Sequence, residues 1–235
     1  METQEFRSAS GRAKVVVWLF IAGIVMALVS FGSDVAEIEL LQRMNTGDNW
    51  TMAEADSNDT RTSTVAILSV IVLLAGALAF LVWLYRVSTN VAALGIDDTR
   101  WGPKWAVGWW FIPIMNLFRP YQVVKEIWKA YDPAARPGAW RDAAVPGLLG
   151  WWWASFLIAS GVANGAGRAA MRGSDTIDAY MLNTTVYAVS EILWVIATIP
   201  AIMVVKEIDR RQTARHAEAA HMMPTMPHEP GKGPS

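Results

Sequence analysis

Few residues in this 235-residue chain have the character and setting of reactive or ligand-holding groups. Glu191 is the one charge in the apolar stretch 179–205. A carboxylate in such surroundings is costly, so a proton or substrate role is its functional reading. The structural reading pairs it with Asn164 and Arg168, near the outer end of the preceding apolar stretch. Arg86 and Asn90 lie one helical turn apart just beyond another apolar stretch. Asn116 and Arg119 fall between Pro113 and Pro120 in the Trp-rich stretch 101–131. Amide and guanidinium groups of this kind could hold an anionic headgroup. The tail residues His221, Met222, Met223, Met226 and His228 are ligand types for a soft metal such as Cu(I). The Pro and Gly around them read instead as a disordered tail, so no metal site is expected. HExxH, GxSxG, phosphate-loop and dinucleotide patterns are absent. All three histidines lie in the C-terminal tail and there is no cysteine, so neither a Ser–His relay nor thiol chemistry has its parts. No catalytic residue and no cofactor is expected.

The elements around these residues are long and apolar. Residues 15–33, 62–85 and 143–167 carry no charge over 19, 24 and 25 positions, and 179–205 carries only Glu191. Runs of this length satisfy their backbone polar groups internally only as helices and match the thickness of a bilayer. Buried helices of a soluble protein would be shorter and would show a polar stripe. The expected fold is all-α and integral to a membrane, with four spans at about 15–33, 64–85, 146–167 and 184–205. The first run is too long for a secretion signal and ends in a poor cleavage sequence, so it reads as an uncleaved anchor.

Charge sets the expected orientation. Residues 1–14 hold three Lys or Arg, 34–61 two against seven acids, 86–142 eight, 168–178 two, and the tail from Lys206 five. Cytoplasmic segments carry the Lys/Arg excess, which places both termini and residues 86–142 inside. Sixteen of the twenty basic residues then face the cytoplasm. The overall charge of −1 implies no nucleic-acid partner.

Residues 105–118 are apolar, broken by Pro113, and shorter than the roughly 20 residues a span needs. Basic residues flank both sides, so this element enters and returns or lies in the interface. Pro120 suits the first turn of a helix over 120–131. That helix carries Val123, Val124, Ile127, Trp128 and Tyr131 on one face, with Lys125 and Lys129 elsewhere. It could lie on the inner leaflet, attracted to anionic lipid, or pack on the end of the bundle. Trp83, Tyr85, Trp109, Trp110, Trp128, Trp151, Trp152 and Trp153 are read as interfacial anchors, with Arg86 reaching to the same boundary. Gly161 and Gly165 read as a close helix-packing pair. Residues 34–44 extend the first helix, 45–63 read as an exposed loop, and the tail reads as disordered from about 216. The glycosylation patterns at Asn58 and Asn183 are taken as chance.

Four blocks, WLYRVSTNVAALG (83–95), WAVGWWFIPIMNLFRPYQVVKEIW (105–128), GWWWASFL (150–157) and VVKEIDRRQTAR (204–215), resemble a membrane family known as domain of unknown function 4328. The resemblance covers roughly residues 65–215, and its most specific part is the spacing of Pro113, Asn116 and Pro120. It implies the membrane fold and a bacterial cytoplasmic membrane, and it carries no activity.

The expected function is that of a non-enzymatic interaction, regulatory or lipid-associated protein. It would act through its cytoplasmic Trp/Pro/basic face, with the bilayer, anionic headgroups or another membrane protein as partner. The alternative is a subunit of a small transporter or channel using Glu191, the Pro200 kink and the re-entrant element. Four spans serve that role poorly alone, so this version requires a homo-oligomer.

Overall fold

The computed structural model describes residues 5–96, 98–133, 139–173 and 176–222, and every regular element among them is helical. Six α-helices follow in order: α1 (Ser10–Thr46), α2 (Met52–Ala93), α3 (Pro103–Gly108), α4 (Arg119–Ala130), α5 (Gly147–Met171) and α6 (Ile177–Met222). Three short 3-10 turns, Trp109–Phe111, Met115–Leu117 and Trp140–Asp142, shape the connections. The side chains of the expected His/Met tail group lie outside the described residues.

α1, α2 and α6 are long and apolar enough to cross a membrane. At about 1.5 Å per residue they run roughly 55, 63 and 69 Å, well past a hydrocarbon core of about 30 Å. α5 has 25 residues, diluted by glycines at 147, 150, 161, 165 and 167. It does not reach the same apolarity.

The long helices lie side by side in the order α2, α1, α6, α5, each pair in extended contact. α5 runs antiparallel to α6, with Phe156 against Trp194 at 6.0 Å and Gly167 beside Tyr187. One end of the array holds the large-residue core. There the start of α1 (Ala9, Ala13, Val16), the last turns of α2 (Trp83, Leu84, Val87, Val91) and the start of α5 (Leu149, Trp152, Trp153) meet. Val204, Val205 and Ile208 of α6 and the buried face of α4 complete it. The segments next to both ends of the chain come to this end, where Phe6 stacks on His216 at 3.8 Å. Toward the other end the interior narrows to Ala27, Ser30, Ser33, Glu37, Ala166, Thr184, Ala188 and Ser190. There the Ser30 hydroxyl of α1 meets the Ser69 hydroxyl of α2 at 3.0 Å.

Three expectations need correction. The loop expected over 45–63 shrinks, because Thr51 caps α2 and Glu54 closes a reciprocal capping box with it, so helix begins at Met52. That box satisfies two terminal N–H groups at once. α1 extends to Thr46, and Gly47 ends it with φ 77° and its N–H on the Arg43 carbonyl. The tail expected to be disordered from about 216 stays helical to Met222. Gly161 and Gly165 pack against no helix, since a Cβ at either would meet open space.

Candidate functional site at the aromatic end of the bundle

The stretch 101–131 folds into a compact wedge against the large-residue end. Pro103 starts α3, the chain turns through Trp109–Phe111, and Ile112 takes an extended backbone as Pro113 demands. A second 3-10 turn follows, its Asn116 N–H on the Ile112 carbonyl at 2.8 Å, and Pro120 opens α4. Both prolines therefore do what their positions suggested: Pro113 interrupts and Pro120 initiates.

The inner side of the wedge is aromatic. Trp110 lies edge-on to Phe80 of α2 at 5.4 Å and to Trp153 of α5 at 5.9 Å, bridging two helices that share no extended contact of their own. The Trp153 indole donates to the Leu117 carbonyl at 2.9 Å, tying the wedge to α5. The outer side is apolar and open: Phe111 is 71% exposed, Ile114 69% and Leu117 56%.

α4 resolves its two readings in favour of packing. Val123, Val124, Ile127 and Trp128 are buried in the core, so its apolar face is not available to a leaflet. The Tyr131 hydroxyl donates to the Val87 carbonyl of α2, and burial holds its pKa well above the ordinary value. Lys129 donates to the Arg141 carbonyl at 2.6 Å, and Lys125 lies 6.0 Å from the Tyr121 ring. Glu126 accepts from the Arg100 N–H at 2.6 Å, and burial raises its pKa. Asp98 accepts from the Trp140 indole at 2.9 Å. That bond, chiefly, and the Arg141 guanidinium lower its pKa.

Most of the expected anchors face inward. Trp83, Trp128, Trp152 and Trp153 are buried and Trp109 and Trp110 half-buried, because these rings fill the space between helices rather than meet headgroups. Tyr85 and Trp151 are exposed. The run of three tryptophans therefore splits into one outward ring and two core rings.

The polar candidates do not form one cluster. Asn90 is fully buried and joins three segments: its amide donates to the Arg7 carbonyl at 2.8 Å and to Gln212 Oε1 at 3.3 Å, and its oxygen accepts from the Arg7 N–H at 3.3 Å. Arg119 donates to Gln122 at 2.8 Å and lies over Trp101 at 4.7 Å and Trp109 at 5.6 Å. Asn116 Oδ1, Arg86 Nε, Arg119 Nε and the indole nitrogens of Trp109 and Trp110 are buried without a hydrogen-bond partner among the described residues. Each such atom costs about 1–3 kcal/mol, so several on one wedge mark strain or a polar ligand surface.

Glu191 lies toward the opposite end and does not pair with Asn164, whose amide donates to the Ser160 carbonyl of its own helix at 2.7 Å. No hydrogen bond or ion pair to Arg168 replaces it among the described residues. Its electrostatic neighbour is Asp34 of α1. Beside them Glu37, 6% exposed, accepts from Asn58 at 3.3 Å, Tyr180 at 3.2 Å and Thr184 at 3.3 Å. Arg61 donates to Ser33 and to Asn58 in the same layer. Asn58, the acceptor of one glycosylation pattern, is buried in this layer. Sequence reasoning counted Glu37 only as one of the seven acids of 34–61. The signal was the spacing of Ser30, Ser33 and Glu37, one polar face on a helix.

No curated protein and no solved structure matches the chain. A family model does: the one described as a domain of unknown function, DUF4328, matches residues 47–210. The match takes in α2 through most of α6, with the whole aromatic wedge and Glu191, and leaves α1 outside. On that coverage, the chain belongs to the DUF4328 family.

Proposed function

We propose that this is a four-crossing protein of a bacterial cytoplasmic membrane, with both termini and the aromatic wedge on the cytoplasmic side. It works without catalysis, as a surface for anionic headgroups or a membrane partner. Support for four crossings comes from the termini. Three crossings would put the two ends on opposite faces, whereas Phe6 stacks on His216, which favours α5 as the fourth crossing. Support for the side comes from the Lys and Arg excess of the sequence segments assigned to this end, fourteen of them among the described residues.

The observation that carries the functional reading is the outer row Phe111, Ile114 and Leu117 on a wedge whose inner side is packed aromatic core. In water such a row is a liability of about 25 cal/mol per Å². At the acyl boundary it anchors the wedge and holds the basic face against headgroups. A nitroxide on Phe111→Cys in reconstituted vesicles tests this: collisional quenching by oxygen should exceed that by a water-soluble nickel complex. Greater access to nickel would overturn the reading.

A second reading, subunit of an oligomeric transporter or channel, is favoured by the approach of Asp34, Glu37 and Glu191 in the narrow half of the array. Glu191→Gln should then abolish proton or cation flux in vesicles while the protein remains folded. Unchanged flux, or no flux in the parent, removes this reading.

A further inference from the structure

A cavity of about 810 Å³ opens between α4, the start of α5 and the distal part of α6, away from the outer row of the wedge. Its level in the membrane follows from the chain. α6 passes from Met203, half exposed, to the charged Lys206 within one turn, and α5 begins its apolar run beside it at Pro146 and Leu148. The cavity therefore straddles the acyl–headgroup boundary.

Its polar wall suits an anion. Lys206 is exposed and makes no ion pair among the described residues, while Arg210 and Arg211 share Glu207 at 2.7 and 2.9 Å. Arg211 also lies 3.7 Å from Asp132 and 4.1 Å over the Trp128 ring. Among the described lining residues, three cations against two carboxylates leave one net positive charge. α5 adds the positive end of its dipole, because Pro146 offers no side-chain cap and its first turn holds no acid. Two further atoms call for an acceptor. Trp128 lines the cavity and is 2% exposed, yet among the described residues neither its indole nitrogen nor Arg211 Nη1 has a hydrogen-bond partner.

We propose that this cavity binds the phosphodiester of an anionic phospholipid, with an acyl chain running over Leu148 and Met203. One net positive charge matches the single negative charge of a phosphodiester, and the apolar lip continues into the lipid-facing surface. The inference deepens the lipid-associated reading above and rests on it for the membrane placement.

The test uses the full chain purified in mild detergent, with native mass spectrometry and thermal unfolding as readouts. Phosphatidylglycerol should be retained and should raise the unfolding midpoint, whereas phosphatidylcholine should do neither. Lys206→Gln, an exposed site outside the core, should weaken phosphatidylglycerol retention about fivefold, the effect of one cation at a membrane surface. Ala144→Trp should block it by filling the cavity without changing charge. Equal stabilisation by inorganic phosphate would show a free-phosphate site and overturn the proposal, as would retention indifferent to both variants. Because Phe111 lies on another surface, loss of retention with an unchanged nitroxide depth separates failure of this site from failure of the wider reading.

Discussion

Asn90 carries one amide, yet that amide holds the start of the chain, the end of α2 and the distal turns of α6 together. Its position one turn past Arg86 suggested a ligand-facing role. The structure spends its oxygen and nitrogen on protein partners 83 and 122 residues away, pairings that no local pattern announces. Asn90→Ala should leave Gln212 Oε1 without its buried donor, and Gln212 Nε2 already has no hydrogen-bond partner among the described residues. The expected cost is about 1–3 kcal/mol. It should be read as a lower unfolding midpoint in detergent, with faster protease cutting near Arg7. An unchanged midpoint would return Asn90 to the ligand-binding candidates.

At the level of single elements, what the sequence disclosed follows from what local chemistry controls. The roles of Pro113 and Pro120 were readable because a proline acts on its own backbone wherever it sits. The α4 periodicity was readable for the same reason, while the partner of its apolar face was not. A face made of Val124, Ile127 and Trp128 suits lipid and protein equally, and only the neighbouring turns of α2 and α6 decide for protein. The tryptophans show the same limit: 151, 152 and 153 point in three directions, and the helix packed alongside settles which are core. The start of α2 is a different case. Thr51 and Glu54 have the spacing of a capping box in the bare sequence, a signal that the loop reading of 45–63, made from its acidic, Asn-, Ser- and Thr-rich composition, did not use. Composition describes exposure, whereas the cap sets the backbone.

At the scale of the whole molecule the open question is how many times the chain crosses, and α5 decides it. It is not among the helices long and apolar enough to cross, although it carries no charge before Arg168, so composition alone does not decide. The geometry argues for crossing: α5 runs antiparallel along α6, and its first turns share a core with the start of α1 and the end of α2. The absence of native cysteine makes the test direct, since any introduced thiol is the only one in the chain. Asp48→Cys and Met171→Cys, both at exposed sites away from the aromatic end, should react with a membrane-impermeant maleimide in intact cells. Lys104→Cys and His216→Cys, exposed at the aromatic end, should react only after the membrane is opened. Protection of Met171→Cys in step with Lys104→Cys would mean that α5 does not traverse, and four crossings would fail. If all four sites reversed together, the crossings would stand, but the aromatic end would lie outside the cell. The basic wedge would then face the wrong leaflet for the interaction proposed for it.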